Sequence, residues 1–147
     1  MFSLRKIRTA YAADPLLRKL FWRAFWLSAF VKFTLVFLPF RKVMSWQGKL
    51  GLESTSGPDP ESLGFRKSLQ SAMQLCEQYT PWPTECYTLA LTARILLRRR
   101  QLPGTLYIGF RKKEDGGFAG HAWLRSYDRI ITGAEGMEKY VVHSCYS

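Results

Sequence analysis

Two residues, Cys86 and His121, carry the clearest chemical signal in the sequence. Cys86 follows Pro83 and Thr84 at the predicted start of an apolar helix. With Thr84 as the N-cap, Cys86 is the second residue of that helix, where free backbone N–H groups and the helix dipole favour an anion. Such a position favours the thiolate, which is the attacking form of cysteine. The competing interpretation is a small buried side chain, a common role for a single cysteine.

The segment around His121 favours the first interpretation. His121 opens a predicted strand in Gly120-His121-Ala122-Trp123, and Trp123 should share its face two residues further on. A cysteine at a helix start with a histidine on an adjacent antiparallel strand is the arrangement of papain-like enzymes. The other candidates are weaker. His143 and Cys145 lie near a chain end, and Cys76 falls on the apolar stripe of a predicted helix.

The elements that would position this pair can be predicted from apolar periodicity. The pattern changes from a helical period to strand-like segments near residue 105. The predicted helices cover residues 61–79 and 84–100, and the predicted strands cover residues 105–110, 121–126, 129–132 and part of 139–146. Helices followed by antiparallel strands indicate an α+β fold.

Charge is concentrated in the first third of the chain. The 147 residues carry a formal net charge of +11, of which residues 1–50 contribute +9 with Asp14 as their one acid. Residues 51–147 are nearly balanced at +2. Residues 51–60 are rich in Gly, Ser, Pro and Asp and predict a linker. The expected organisation is a basic aromatic helical segment (1–50), a linker (51–60) and a catalytic domain (61–147).

Residues 20–40 form an aromatic run that is a poor membrane span, because Arg23 and Lys32 interrupt it. We expect a long helix that contacts another protein or lies in a membrane interface. Packing on its own domain is the alternative. The docking interpretation assigns the contact to four aromatic residues: Phe21, Trp22, Phe25 and Trp26.

Several short motifs follow one another through the second half of the chain. They read W-P-T-E-C (82–86), L-P-G (102–104), L-Y-I-G-F (106–110), G-H-A-W-L (120–124) and I-I-T-G (130–133). In this order and spacing they resemble the transglutaminase-like leader peptidases of lasso-peptide biosynthesis. The basic aromatic stretch 20–41 is similar to the N-terminal part of that family. The resemblance implies a transglutaminase-like, papain-like cysteine protease core, with helices packed on a small antiparallel sheet.

By this resemblance Cys86 is the nucleophile and His121 the general base and acid. The family usually adds an aspartate on the next strand. Asp128 falls instead at the tip of a predicted hairpin, roughly 20 Å from His121 along an extended strand. A uniform strand register sets His121 opposite Ala134, which favours Glu135 over Asp128 as the orienting group. Thr132, a backbone carbonyl or a more distant acid are the other possibilities.

The resemblance also implies the biological setting. The protein would remove the leader from a ribosomally made lasso-peptide precursor, with Trp82 and Trp123 as candidates for lining the substrate groove. Its partners would be the precursor, a small leader-binding protein and an ATP-dependent cyclase. We expect no metal, organic cofactor or nucleic acid, and a cytoplasmic location with membrane contact through the N-terminal helix as an option. The alternatives are acyl transfer on the same fold and a non-enzymatic adaptor.

Overall fold

Helices precede strands along the chain, as the sequence predicts. The computed structural model describes residues 4–147. The helices are α1 (Leu4–Ala13), α2 (Pro15–Phe37), α3 (Phe40–Ser45), α4 (Leu63–Tyr79) and α5 (Cys86–Arg99). The strands are β1 (Thr105–Lys112), β2 (Phe118–Ser126), β3 (Arg129–Thr132) and β4 (Val141–Tyr146), with a short 3-10 turn at Met137–Lys139 before β4.

The strands form one antiparallel sheet in the order β3-β2-β1-β4. The β2–β3 hairpin turns where predicted, but its register shifts between Leu124 and Arg125, so that Leu124 pairs with Thr132. The uniform register that sets His121 opposite Ala134 is therefore wrong by one residue beyond this bulge. A bulge of this kind bends the strand and redirects the residues that follow it.

Helix α5 is the central element of the core. It contacts α2 and α4 on one side and strands β1, β2 and β3 on the other. Residues 88–94, together with Leu96 and Leu97, are buried, which covers the helix on nearly every side. Of the arginines that end it, Arg98 donates to the main-chain carbonyls of Trp46 and Gln47 and so joins the end of α5 to the segment after α3.

Helix α2 packs its inner face on this same core. Leu17, Leu20, Phe21 and Ala24 are buried there, in one cluster with residues of α4, α5 and the sheet. Phe21 is 8% exposed, so it is not available as a docking residue. The inner face of α2 therefore packs on its own domain, which was the alternative interpretation, and docking stays a prediction for the exposed face alone.

Residues 51–60 form neither helix nor strand, yet they are attached to the sheet. The Ser54 amide donates to Thr105 Oγ1 at 2.8 Å, and Arg125 Nη2 donates to the Ser54 carbonyl at 3.0 Å. Leu50 forms a β-bridge with Tyr146. The change of composition near residue 50 therefore falls within a continuous packing unit.

We expect Leu20→Ala to lower the free energy of unfolding by about 2–4 kcal/mol, since it leaves a cavity at a buried site. Trp26→Ala on the opposite, exposed face is the matched control and should change it by less than about 0.5 kcal/mol. Chemical denaturation measures both. Equal effects would mean that α2 does not belong to the core.

Candidate active site

Cys86 is the first residue of α5, one position earlier in the helix than predicted. The N-cap is Glu85 rather than Thr84, and the Leu89 amide makes the first helical hydrogen bond, to the Glu85 carbonyl at 3.1 Å. The first amides of a helix have no intrahelical acceptor, so those at Cys86 and beyond can bind an anion. The Cys86 side chain is half-buried and forms no disulfide.

His121 is held by a main-chain acceptor and two aromatic rings. Its Nε2 lies 2.8 Å from the Gly133 carbonyl oxygen. Because a carbonyl oxygen only accepts, Nε2 carries the proton and Nδ1 of the neutral ring is left free to take one. The imidazole lies against Trp123, at 5.7 Å between ring centres, and Tyr140, at 5.0 Å. Trp123 shares the His121 face as predicted.

Neither acid considered for the third position orients the His121 ring in the described part of the chain. Among the described residues, the Glu135 carboxylate makes no hydrogen bond to His121, and its side chain is exposed at the cleft rim. The Gly133 carbonyl occupies the orienting position instead. Thr132 lines the same cleft, with a buried hydroxyl that has no hydrogen-bond partner within the described chain.

Asp128 has a structural partner. Arg66 is fully buried, and its Nη1 contacts the Asp128 carboxylate and the Ser126 carbonyl, each at 3.0 Å. The hydrogen bond from Arg66 holds the pKa of Asp128 below its usual value. Asp128 therefore fixes the hairpin tip to α4.

Gly133 satisfies a steric constraint that only glycine meets. Its φ is +76°, and a Cβ atom there would lie 2.5 Å from the Ala122 carbonyl oxygen and 2.8 Å from Trp123 Cβ. The chain leaving β3 thus passes close to β2 and brings the Gly133 carbonyl to the His121 ring.

Cys86 and His121 line one cleft of about 880 Å³, between α4 and the end of β3. In the part of the chain that the structure describes, the side chains of Cys86 and His121 form no hydrogen bond with each other. Catalytic hydrogen bonds are often long before substrate binds and shorten in the complex. The cleft walls include Gln70, Met73, Gln74, Gln78 and Leu89.

The comparison with protein families agrees with this architecture. A family described as the transglutaminase-like superfamily matches residues 34–145, about three quarters of the chain. The chain belongs to the transglutaminase-like superfamily. No curated protein and no solved structure matches it.

Membership confirms the predicted fold class, an α+β transglutaminase-like domain with helices packed on a small antiparallel sheet. Cysteine protease and acyltransferase activities are common in the superfamily. The match begins inside α2, so the transglutaminase-like domain extends across the composition change near residue 50.

A second groove of about 530 Å³ lies on the other side of Cys86 in this transglutaminase-like domain. Tyr87 and Gly120 line it, and Lys32 Nζ binds both carboxylate oxygens of Glu85 at 2.6 Å beside it. Burial, and then the negative charge of the neighbouring Cys86 thiolate, raise the pKa of Tyr87. Sequence reasoning missed Tyr87, although its place next to Cys86 was visible.

The other predicted site residues lie away from both grooves. Trp82 donates from Nε1 to Ser28 Oγ at 3.1 Å and so anchors α2, while Trp123 is buried behind His121. Neither lines the cleft, so their predicted groove role is not supported. His143 is exposed and packs on Phe110.

The remaining cysteines differ in burial. Cys76 is buried in the core, and this burial raises the pKa of its thiol to about 12. Cys145 is half-buried on β4. A thiol with so high a pKa is unreactive at neutral pH, which agrees with the packing role predicted for Cys76.

We expect Gly133→Ala to release the imidazole of His121, because the added Cβ would displace the carbonyl that binds Nε2. Heteronuclear NMR of the labelled ring should then show both tautomers. The matched control is Gly136→Ala, with φ at +74° and open space around its Cβ position. Both variants carry the backbone strain of about 1–3 kcal/mol, and only Gly133→Ala should change the tautomer. An unchanged ring would mean that the carbonyl does not orient it.

Proposed function

We propose that the protein is a cysteine peptidase that removes the leader from a lasso-peptide precursor. The observation that carries the proposal is the shared cleft of Cys86 and His121, with the imidazole held in the tautomer that can accept a thiol proton. The resemblance of residues 82–133 to leader peptidases supplies the substrate class.

The groups in the cleft suffice for a two-step hydrolysis. His121 Nδ1 takes the thiol proton, and the Cys86 sulfur attacks the carbonyl carbon at the leader–core junction. Free amides at the start of α5 stabilise the oxyanion. The C–N bond breaks, the imidazolium protonates the amine of the core, and the leader remains as a thioester. His121 then deprotonates a water molecule, which releases the leader carboxylate and restores the thiol.

The α4 wall of the cleft suits an extended peptide. Gln70, Gln74 and Gln78 follow at intervals of four residues, so their side chains repeat about every 6 Å along the helix. An extended chain repeats about every 6.6 Å over two residues. Each amide can donate and accept, so this row can pair with successive peptide groups whatever their side chains. Gln70 is steadied by Arg129, which donates to its Oε1 at 2.6 Å.

Replacing Gln74 by Leu should raise KM for the precursor about two- to tenfold and leave kcat nearly unchanged, because one ground-state hydrogen bond is lost. Steady-state cleavage assays measure both constants. Lys67→Leu, on an exposed part of α4 outside the cleft, is the matched control and should change neither. A large loss of kcat in Gln74→Leu would contradict a binding role.

The proposed setting is the cytoplasm, where a small leader-binding protein presents the precursor and an ATP-dependent cyclase closes the freed core. The run of arginines that ends α5 does not favour a nucleic-acid adaptor. Of the arginines that end α5, Arg98 binds main-chain carbonyls and Arg100 stacks on Phe65. These cations serve the fold and leave little of the run for phosphate binding.

In the deciding experiment, the full chain is incubated with the precursor and the leader-binding protein, and the products are identified by mass spectrometry. Cys86→Ala should abolish cleavage, and His121→Ala should reduce it by at least about a hundredfold. His143→Ala and Cys145→Ser are matched controls and should retain activity. Cleavage by Cys86→Ala, or loss with His143→Ala alone, would contradict the assignment.

Acyl transfer is the second candidate, favoured by the groove on the other side of Cys86. A nucleophilic amine seated there would capture the thioester in place of water. The same mass spectra separate the two outcomes. Hydrolysis adds the mass of water across the cleaved bond, whereas transfer joins the leader to the amine.

A further inference from the structure

Helix α2 displays a continuous row of large aromatic side chains on its outward face. Five of them recur at intervals of three or four residues, which places them on one side of the helix. They are Trp22, Trp26, Phe30, Phe33 and Phe37, exposed by 49%, 67%, 64%, 60% and 68%. We call these five residues the aromatic row. Contiguous exposed apolar surface of this kind marks an interaction site.

The opposite face of α2 limits how this surface can be used. The helix is long and apolar enough to cross a membrane by length and composition, but its inner face is packed on α4 and α5. Spanning a bilayer would expose Leu20, Ala24 and Val31 of the core and detach α2 from the domain. A helix that is apolar all round but covered on one side has one face left for an apolar environment.

Cations accompany the aromatic row at both ends. Lys19 and Arg23 lie on the same face of α2 near its start, and both are exposed. Arg41 and Lys42 are exposed just beyond its end. The one acid among residues 1–50, Asp14, caps the helix start and accepts from the Leu16 amide. The surface is therefore apolar along its middle and positive at its ends.

We propose that this face of α2 binds an anionic lipid surface, with the helix lying in the plane of the interface. Tryptophan, phenylalanine and basic residues on one face are the composition of in-plane amphipathic anchors. Two signals, apolar insertion and attraction to anionic headgroups, act together here. This proposal does not depend on the peptidase activity.

The placement brings the nucleophile close to the membrane. Val36 and Phe40, at the end of α2 and the start of α3, line the second groove together with Cys86. Phe37, the last residue of the aromatic row, lies between them in the sequence. Lipid binding through the row would hold this groove at the membrane surface.

Vesicle flotation with the full chain tests the proposal. Wild type should bind vesicles of phosphatidylglycerol and phosphatidylcholine, and bind vesicles of phosphatidylcholine alone much more weakly. Trp26→Ser, Phe30→Ser and Phe33→Ser together should weaken binding by about a hundredfold. Lys19→Glu with Arg23→Glu should weaken it by roughly thirtyfold, and added salt should weaken wild type. Phe118→Ser, at an equally exposed aromatic residue on β2, should bind as wild type.

The outcomes separate lipid from other occupants. Equal unfolding curves for the variants and wild type show that the folded domain is being compared. Absence of wild-type binding, equal binding to neutral vesicles, or full binding by the triple serine variant would overturn the proposal. Two further results would overturn it if wild type did not bind vesicles. One is a dimer that forms without lipid and is abolished in the triple serine variant. The other is a complex with the leader-binding protein that the same variant abolishes.

Discussion

The burial of α5 is the constraint on which the rest of the structure depends. This helix is covered by α2 and α4 on one side and by the sheet on the other, so water reaches it mainly at its ends. Its first turn lies at the cleft, and the helix begins there after Pro83 and the N-cap residue Glu85. A cysteine at this position lies beside backbone amides that have no intrahelical acceptor, while the helix that carries it is packed in the core. The position of Cys86 is thus a consequence of packing as much as of chemistry, and the N-terminal segment is needed because it covers α5.

The histidine is controlled by backbone geometry rather than by a carboxylate. A neutral carbonyl stabilises an imidazolium less than a carboxylate does, because it lacks the full negative charge that attracts the cation. What the Gly133 carbonyl does supply is tautomer and ring orientation. A thiol is more acidic than an alcohol and needs less help from its base, so orientation without a full negative charge is chemically adequate for a Cys–His pair. The bulge at Leu124 and the left-handed φ of Gly133 are the structural conditions for it.

Local sequence patterns predicted the helices and strands well, but they predicted the strand register and the side-chain contacts between these elements less well. Helices α4 and α5, strand β3 and the Tyr127-Asp128 turn lie within a residue or two of their predicted bounds, because apolar period and turn residues are local signals. The β-bulge is not local, so the partner of His121 could not be fixed from the sequence. Trp82 and Trp123 were the candidates for lining the substrate groove. In the fold, Trp82 contacts α2 instead, and Trp123 lies against the His121 ring.

The two faces of α2 explain why residues 20–40 resisted a single interpretation. One face meets α4 and α5, the other carries the aromatic row, and an apolar composition on both sides erases the periodic signal that would separate them. The helix also reaches the site, since Lys32 on α2 holds the carboxylate of Glu85, the residue before Cys86. This ion pair joins α2 to the N-cap residue of α5. A contact that repositions α2 would therefore act on the residue before Cys86 through this side chain, and on α5 itself through the packing of the two helices.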